Sequence, residues 1–257
     1  MKEINSQAQP FYFTGNSQQA LLFLHGFTAS PSEVRVVAEK IHQSIGCSVS
    51  GILLPGHGTT PEQLDAVRWP EWYQAVETEI KSLQASFQQV FVGGLSMGGL
   101  LALHAGVNLS GLAGVVTINA PIYYHYAVIP LVSDLTGLIT PFYHKKGLAE
   151  IKKLENQGRF AYRVMPLKAF HSLNHLRKIV MQEVKELKIP ALIVQSMLDE
   201  SVHSRSAEYL YEKTRPQGAR TLLLSQSRHI ATMGPQQEII VQEIVSFMED
   251  QRCFLGK

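Results

Sequence analysis

Short, continuously apolar runs recur along this chain, and each is followed by a longer segment with helical periodicity. Strands that are apolar at every position are typical of a parallel sheet buried on both faces, whose strands need crossover connections. The pattern therefore predicts a doubly wound α/β domain, with a mostly parallel central sheet flanked by helices. We place strands at residues 20–24, 48–54, 89–95, 113–119, 190–196 and 220–225, with the earlier run PFYF as a further candidate.

Helices are predicted where apolar residues recur every three or four positions, at residues 32–45, 70–87, 97–108, 204–214 and 235–250. One interval breaks the alternation, because the stretch from Pro121 to Lys188 is far longer than a crossover connection requires. We interpret it as an insertion. The chain then divides into an α/β core at residues 1–120 and 189–257 and a helical cap insertion at 121–188.

The insertion is rich in aromatic and aliphatic residues, which need burial because large exposed apolar patches are rare on monomers. These residues either pack the insertion onto the core or line an apolar cleft for a substrate, and a cap over a cleft does both. As candidate substrate-binding residues we select Ile122, Tyr123, Ile129 and Leu138.

The composition excludes several classes of partner. With 23 basic and 21 acidic residues spread along it, the chain offers no basic patch for nucleic acid or an anionic membrane. The segment MKEINSQAQP lacks the apolar core of a secretory signal, and no segment offers about 18 uninterrupted apolar residues. We therefore expect a cytoplasmic protein without integral membrane association, as a monomer or weak homodimer. Cys47 and Cys253 form neither a disulfide framework nor a paired-cysteine metal site.

The stretch VFVGGLSMGGLLAL contains the pattern GxSxG, with Ser96 between Gly94 and Gly98. In this pattern the serine occupies a sharp, strained turn between a strand and a helix. Such a turn brings strand and helix so close that side chains two residues before and after the serine would clash. Because the run before Ser96 is predicted as a strand and the run after it as a helix, the context predicts a nucleophilic serine.

A serine hydroxyl needs a base to take its proton, and the base needs a carboxylate to hold its tautomer. In this topology the chain order is serine, acid, histidine. His229 follows the last predicted strand and fits the base, whereas His25 and His57 precede the serine and are interpreted as structural. Asp199 is the one aspartate that follows a predicted strand, and adjacent Glu200 remains the alternative acid.

Acyl transfer also requires donors for the oxyanion of the tetrahedral intermediate. One amide is expected from the residue after the nucleophile, Met97, and the other from the loop LHGFT, where Gly26 allows the amide of Phe27 to point inward. The sequence contains no P-loop, no HExxH helix and no GxGxxG after a strand, so nucleotide and zinc-protease chemistry are not indicated.

Six segments together resemble the bacterial carboxylesterase and monoacylglycerol lipase group of the α/β-hydrolase superfamily: LLFLHGFTASPSEVR, LLPGHGTTPEQL, VGGLSMGGLLAL, INAPI, IPALIVQSMLDESV and SRHIATM. They span almost the entire chain. The resemblance implies an α/β-hydrolase fold with a small helical cap, and it implies Ser96 as nucleophile, Asp199 as acid and His229 as base. It also implies the amides of Phe27 and Met97 as the oxyanion hole.

The resemblance further implies an apolar acyl pocket, an ester and water as the two substrates, and no metal or organic cofactor. Monoacylglycerol lipases of this group are expected to carry an acidic residue in the cap for the glycerol hydroxyls. The similar stretch here, RFAYRVMP, offers Tyr162 and Arg163 instead. Arg228 stands where many relatives have glycine; its charge either points into the site, where it would lower the pKa of the base, or points to solvent.

The sequence thus predicts a serine carboxylesterase that hydrolyses esters with apolar acyl chains through an acyl-enzyme. Two alternatives stay open. The same triad could serve a monoacylglycerol lipase or a lysophospholipase-type lipid hydrolase, because substrate choice depends on the geometry of the cap. The second alternative is a non-catalytic member of the fold that binds a ligand, although such proteins usually lose one residue of the triad.

Overall fold

The computed structural model describes residues 3–125, 142–144, 147, 152 and 154–252. The strands are β1 (Phe11–Phe13), β2 (Gln19–Leu24), β3 (Ser48–Gly51), β4 (Gln89–Leu95), β5 (Leu112–Ile118), β6 (Phe142–His144), β7 (Val164–Pro166), β8 (Ala191–Ser196) and β9 (Arg220–Leu224). The helices are α1 (Ser32–Ile45), α2 (Pro61–Ala66), α3 (Trp69–Gln84), α4 (Met97–Asn108), α5 (Leu167–Glu183), α6 (Arg205–Thr214) and α7 (Gln237–Arg252).

Within the described residues, seven strands form one sheet in the order β1-β3-β2-β4-β5-β8-β9. All neighbours are parallel except β1, which pairs antiparallel with β3 and places Phe11 opposite Gly51. The predicted α/β class, with a mostly parallel sheet flanked by helices, is confirmed. The candidate strand in PFYF is the antiparallel edge strand β1.

The side chains of β2 alternate between two cores, one on each face of the sheet. Leu22 and Leu24 pack in a cluster that also contains Trp72 of α3, whereas Leu21 and Phe23 pack on the opposite face with α1 and α7. Burial on both faces explains why this strand is apolar at every position after its first.

The structure differs from the predicted elements at several boundaries. The strand predicted over 48–54 ends at Gly51, and the backbone N–H of Leu54 instead donates to the imidazole of His25. Helix α2 was not predicted. It begins after Thr60, whose hydroxyl accepts from the amide of Gln63, and it has Pro61 in its first turn.

The segment 121–188, predicted as a helical cap, contains a two-stranded antiparallel ribbon of β6 and β7 and the helix α5 among its described residues. Leu173, Leu176 and Val180 of α5 are buried in the same cluster as Leu100 and Leu103 of α4. This helix therefore packs directly against the helix that follows the predicted nucleophile. The assignment of the whole segment as a cap stays a prediction.

None of the helices in the described part of the chain is long and apolar enough to cross a membrane. The described residues also contain no group of three or more His, Cys, Asp or Glu side chains that could hold a metal ion. Cys47 is buried, and Cys253 lies outside the described residues.

Candidate active site

Ser96 joins the end of β4 to the start of α4, and its backbone is in the left-handed region with φ of 54°. A Cβ at Gly94 would lie 2.2 Å from the carbonyl carbon of Gly98. A Cβ at Gly98 would lie 2.4 Å from the carbonyl oxygen of Leu24. No side chain fits at these distances from the backbone, so the tight turn that presents the serine hydroxyl requires glycine at both positions.

The hydroxyl of Ser96 lies at one end of a chain of hydrogen bonds. Its Oγ is 3.0 Å from Nε2 of His229, and Nδ1 of the same imidazole is 2.8 Å from Oδ2 of Asp199. The other carboxylate oxygen accepts from the backbone amides of Ser201 and Val202 at 2.8 and 2.9 Å. A carboxylate that accepts from Nδ1–H leaves Nε2 free to accept the serine proton.

Three loops at the same edge of the sheet bring these side chains together. Ser96 follows β4, Asp199 follows β8 and His229 follows β9, and the carboxyl ends of parallel strands share one edge. The serine and the histidine are 133 positions apart in the chain. The alternative acid Glu200 is exposed and accepts a long bond of 3.4 Å from the backbone amide of His229, so the structure places Asp199, not Glu200, on the imidazole.

The two earlier histidines have other partners. Nδ1 of His25 donates to the carbonyl of Gly26 at 2.9 Å, and its Nε2 accepts from the backbone N–H of Leu54 at 3.2 Å. Burial lowers the pKa of His25 to about 4 and lowers that of His57 well below its usual value. Both rings are buried, with centroids 4.9 Å apart, so they hold the loop after β2 as neutral imidazoles.

The loop after β2 passes directly beside the serine. A Cβ at Gly26 would lie 3.6 Å from Cβ of Ser96, and Phe27, the next residue, lines the cavity described below. Thr28 has a left-handed backbone with φ of 64°, and its carbonyl accepts from the amide of Tyr162 at 2.7 Å. The hydrogen bonds of His25 and the bond from Tyr162 to Thr28 therefore hold in place the loop that carries Phe27, the predicted oxyanion donor.

Met97, the other predicted donor, is fully buried and is the first residue of α4. Its amide belongs to the first turn of the helix, where unpaired N–H groups and the helix dipole create a partial positive charge. Phe27 and Met97 thus lie on the two elements beside Ser96 from which an oxyanion hole would be built.

A cavity of about 1100 Å³ opens onto Ser96 and His229. Its described wall is largely apolar on one side, with Phe27, Met165, Phe170 and Leu173. An apolar wall of this kind accommodates an acyl chain better than a charged group.

Of the four substrate-binding residues predicted in the insertion, the two that the structure describes do not line this cavity. Ile122 is fully buried in the core, and Tyr123 packs its ring against Tyr209 at 5.7 Å; neither lines the cavity. Their neighbour Tyr124 does line it. The other two candidates, Ile129 and Leu138, fall outside the described residues.

A second stretch of the cavity wall is charged. Glu33, buried in the first turn of α1, accepts from Nε of Arg159 at 3.1 Å, and both residues line the cavity. Arg228 also lines it but is exposed, which places its cation at the mouth. Sequence reasoning did not find the ion pair, since a glutamate at a helix start is ordinary and its partner is 126 positions away.

In the stretch RFAYRVMP, Tyr162 and Arg163 stand where the resemblance led us to expect an acidic residue. The phenol of Tyr162 donates to the carbonyl of Gly56 at 2.8 Å and accepts from the amide of Thr59 at 2.9 Å. Arg163 is exposed and does not line the cavity at Ser96. Tyr162 therefore ties this segment to the core.

Asn119 is a further residue of the site that sequence reasoning missed. It follows β5, is fully buried and has φ of 50°, a conformation that asparagine tolerates better than most residues. Its amide nitrogen donates to the carbonyl of His229 at 2.8 Å and to the hydroxyl of Ser196 at 3.0 Å, and its Oδ1 accepts from the amide of Ser196 at 2.7 Å. Asn119 thereby links the loops that carry Asp199 and His229.

Known proteins resemble this chain along most of its length. The model of the family Hydrolase_4, described as serine aminopeptidase, S33, matches residues 15–236. Among curated proteins, the chain is 28% identical over 242 residues to a thermostable monoacylglycerol lipase of Bacillus sp. (strain H-257), covering 94% of each chain. It is 23% identical over 242 residues to a carboxylesterase of Bacillus subtilis (strain 168), covering 94% of this chain and 96% of that one.

Solved structures give the same result. A structure from work on LipS and LipT, two metagenome-derived lipolytic enzymes, is 28% identical, with a TM-score of 0.85 over 96% of this chain and 100% of that one. The monoacylglycerol lipase of Paleococcus ferrophilus is 16% identical and shares the fold, with a TM-score of 0.78 over 94% and 98%. The chain therefore belongs to the serine aminopeptidase S33 family of α/β-hydrolases and is a serine hydrolase of the esterase and lipase type.

Proposed function

We propose that this protein is a carboxylesterase in which Ser96, His229 and Asp199 act as a catalytic triad on carboxylic esters with apolar acyl groups. One observation above all supports the proposal: hydroxyl, imidazole and carboxylate form a continuous chain of contacts, 3.0 and 2.8 Å long, at the wall of a cavity of about 1100 Å³. Membership of a serine hydrolase family supports the same chemistry.

In the first half of the reaction, Oγ of Ser96 attacks the ester carbonyl carbon while Nε2 of His229 takes the hydroxyl proton. The negative charge that forms on the carbonyl oxygen is stabilised by the amides of Phe27 and Met97. Asp199 stabilises the imidazolium through Nδ1–H. The imidazolium then protonates the leaving alkoxide, the ester C–O bond breaks, and the alcohol departs from the acyl-enzyme.

In the second half, Nε2 of His229 takes a proton from a water molecule, and the resulting hydroxide attacks the acyl carbon. The same two amides stabilise the second oxyanion. When this intermediate collapses, the bond to Ser96 breaks, the imidazolium returns a proton to Oγ, and the carboxylic acid is released.

The proposal is tested by replacing Ser96 with alanine and assaying a short-chain 4-nitrophenyl ester. We expect kcat to fall by at least about 10⁴-fold, because the variant has no nucleophile while the fold is intact. Ser110→Ala, on an exposed loop, is the matched control and keeps its activity. A fluorophosphonate probe should label the wild type once, at Ser96. Substantial turnover by the Ser96→Ala variant, or labelling at another residue, refutes the triad.

A second candidate, monoacylglycerol hydrolysis, is favoured by the carboxylate of Glu33. A Cβ at Gly26 would lie 3.3 Å from its Oε2 and 3.6 Å from Cβ of Ser96, so an acidic group stands close to the predicted nucleophile. Such a carboxylate could accept hydrogen bonds from the hydroxyls of a glycerol leaving group. Monooctanoylglycerol and methyl octanoate share one acyl group, so a kcat/KM at least tenfold higher for the glyceride identifies the lipase, and equal values identify the general esterase.

A further inference from the structure

A buried ion pair connects the insertion to the first turn of α1. Glu33 is 2% exposed and Arg159 is 8% exposed, and both line the cavity that opens onto Ser96. Nε and Nη2 of Arg159 both donate to the same carboxylate oxygen of Glu33, Oε1, with Nε at 3.1 Å. A buried charge without a partner is strongly unfavourable, so each of these two charges depends on the other.

The other carboxylate oxygen of Glu33 faces the loop after β2. A Cβ at Gly26 would lie 3.3 Å from Oε2 of Glu33 and 3.6 Å from Cβ of Ser96. The charge acts on the same loop at His25: burial lowers the pKa of this imidazole, and the negative charge of Glu33 opposes part of that shift. A carboxylate therefore lies beside the residue that precedes Phe27, the predicted oxyanion donor.

A carboxylate in this place is unfavourable for acyl transfer. In the proposed mechanism the carbonyl oxygen of the ester becomes negative where the amides of Phe27 and Met97 point. The imidazolium of His229 forms at the same time, but it has its own counter-charge in Asp199 at 2.8 Å. Two negative charges repel more strongly in a buried wall than in water, because the effective dielectric constant is lower. A bare Glu33 would therefore raise the energy of the tetrahedral intermediate more than that of the bound ester.

The remaining charged groups around Glu33 do not compensate it. Glu200 and Arg228 also line the cavity, but both are exposed, so water and salt screen their charges. His25 is a buried neutral ring. Among the described residues of the cavity wall, the guanidinium of Arg159 is the buried cation that contacts the carboxylate directly.

We propose that Arg159 is a positioning residue for the reaction: it holds and neutralises Glu33, so that the oxyanion forms beside a neutral ion pair and not beside a bare carboxylate. The inference rests on the proposed triad and oxyanion hole, and Arg159 acts through Glu33. The segment that carries Arg159 is attached to the same loop, since the amide of Tyr162 donates to the carbonyl of Thr28 at 2.7 Å.

The opposite signs of the two charges make the test asymmetric. At about pH 8.5, where carboxyl groups are ionised, Arg159→Met should lower kcat for a 4-nitrophenyl ester at least about tenfold, because the bare carboxylate opposes the oxyanion. Glu33→Gln has no negative charge, so its kcat should stay within about threefold of the wild type or exceed it. The double variant of Glu33→Gln and Arg159→Met should recover to within about threefold of the wild type. Arg215→Met, at an exposed arginine outside the cavity, is the matched control and should keep the wild-type kcat.

A purely structural ion pair predicts another pattern, in which the two single variants lose similar activity and the double variant recovers none. That pattern, or an Arg159→Met protein as active as the wild type, overturns the proposal. If Arg159→Met does not fold, two other variants decide. Arg159→Lys keeps the cation and should keep kcat within about threefold of the wild type, and a loss of about tenfold or more in Glu33→Gln overturns the proposal.

The rate at which a fluorophosphonate labels Ser96 separates this inference from the proposed function. Phosphonylation also places negative charge on an oxygen in the oxyanion hole, but it requires no turnover of an ester. Arg159→Met should be labelled at least about tenfold more slowly than the wild type, and the double variant should recover. Equal labelling rates overturn the role of Arg159 even if esters are hydrolysed. Slow labelling of Arg159→Met combined with no ester hydrolysis by the wild type would support that role and refute the esterase.

Discussion

Replacing Asn119 with alanine should loosen the loops of the acid and the base together. Its side chain makes three close hydrogen bonds, to the amide and hydroxyl of Ser196 and to the carbonyl of His229, at 2.7, 3.0 and 2.8 Å. Alanine removes all three. Because these bonds join the segment that leads to the acid with the segment that carries the base, we expect a loss of stability and a loss of turnover from one substitution.

The expected loss in the free energy of unfolding follows from the groups that the substitution leaves without hydrogen-bond partners. Ser196 is 1% exposed, so its amide would remain buried without a partner, which costs about 1–3 kcal/mol. Asn119 also has φ of 50°, where alanine is less tolerated than asparagine by about 1 kcal/mol. Together the free energy of unfolding should fall by about 2–4 kcal/mol. A misplacement of the imidazole by about 1 Å would lower kcat by about 10²-fold.

Urea unfolding followed by tryptophan fluorescence gives the free energy, and a 4-nitrophenyl ester gives kcat under conditions in which the variant is fully folded. The matched control is Asn156→Ala. Asn156 is exposed, so the removal of its side chain should cost less than about 0.5 kcal/mol and leave kcat unchanged. If Asn119→Ala stays within about 0.5 kcal/mol and twofold in kcat of the wild type, the bridging role is refuted.

Two further predictions concern the turn at the serine and the pH dependence of stability. Gly98→Ala would place a methyl group 2.4 Å from a strand carbonyl oxygen, so urea unfolding should show a loss of about 3 kcal/mol or more, whereas Gly147→Ala, with nothing within 4 Å, should change stability by less than about 0.5 kcal/mol. A Gly98→Ala protein as stable as that control would show that the turn can relax. Burial lowers the pKa of His25 to about 4. As the pH falls from about 6.5 towards 4, the imidazole therefore binds a proton in the unfolded chain more readily than in the folded protein, which favours unfolding. His25 alone should lower the free energy of unfolding by about 2 kcal/mol between pH 7 and pH 5, and urea titrations in which stability stays constant or rises over that range contradict its burial as a neutral ring.

Much of the fold could be predicted from the sequence because the signals are local. Continuous apolar runs predict strands buried on both faces, and β2, β4, β5, β8 and β9 lie within about one residue of their predicted positions. The turn at Ser96 is equally local, since the glycines that allow it are two positions away on either side. Loops that follow parallel strands meet at one edge whatever the intervening sequence, which is why Asp199 and His229 could be chosen before their distances were known.

The insertion shows where local signals end. Its apolar residues could be recognised, but which of them reach the cavity depends on how the backbone is held. The bridge between Tyr124 and Val202 directs the side chain of Tyr124 to the cavity wall, while Ile122 enters the core and Tyr123 turns to Tyr209. The backbone of 121–125 bends instead of continuing as a strand, so no periodic pattern predicts which of these side chains lines the cavity.

By itself, then, the amino-acid sequence determined most strands and helices of the core, the strained turn at Ser96 and the three loops that carry hydroxyl, carboxylate and imidazole. Only the tertiary structure decided the pairing of Glu33 with Arg159 and the bridge made by Asn119. The physical reason is that a hydrogen bond or ion pair forms only when two atoms from segments far apart in the chain lie at the right distance to within a few tenths of an ångström. Those distances are set by the packing of the whole core and leave no periodic trace in either segment.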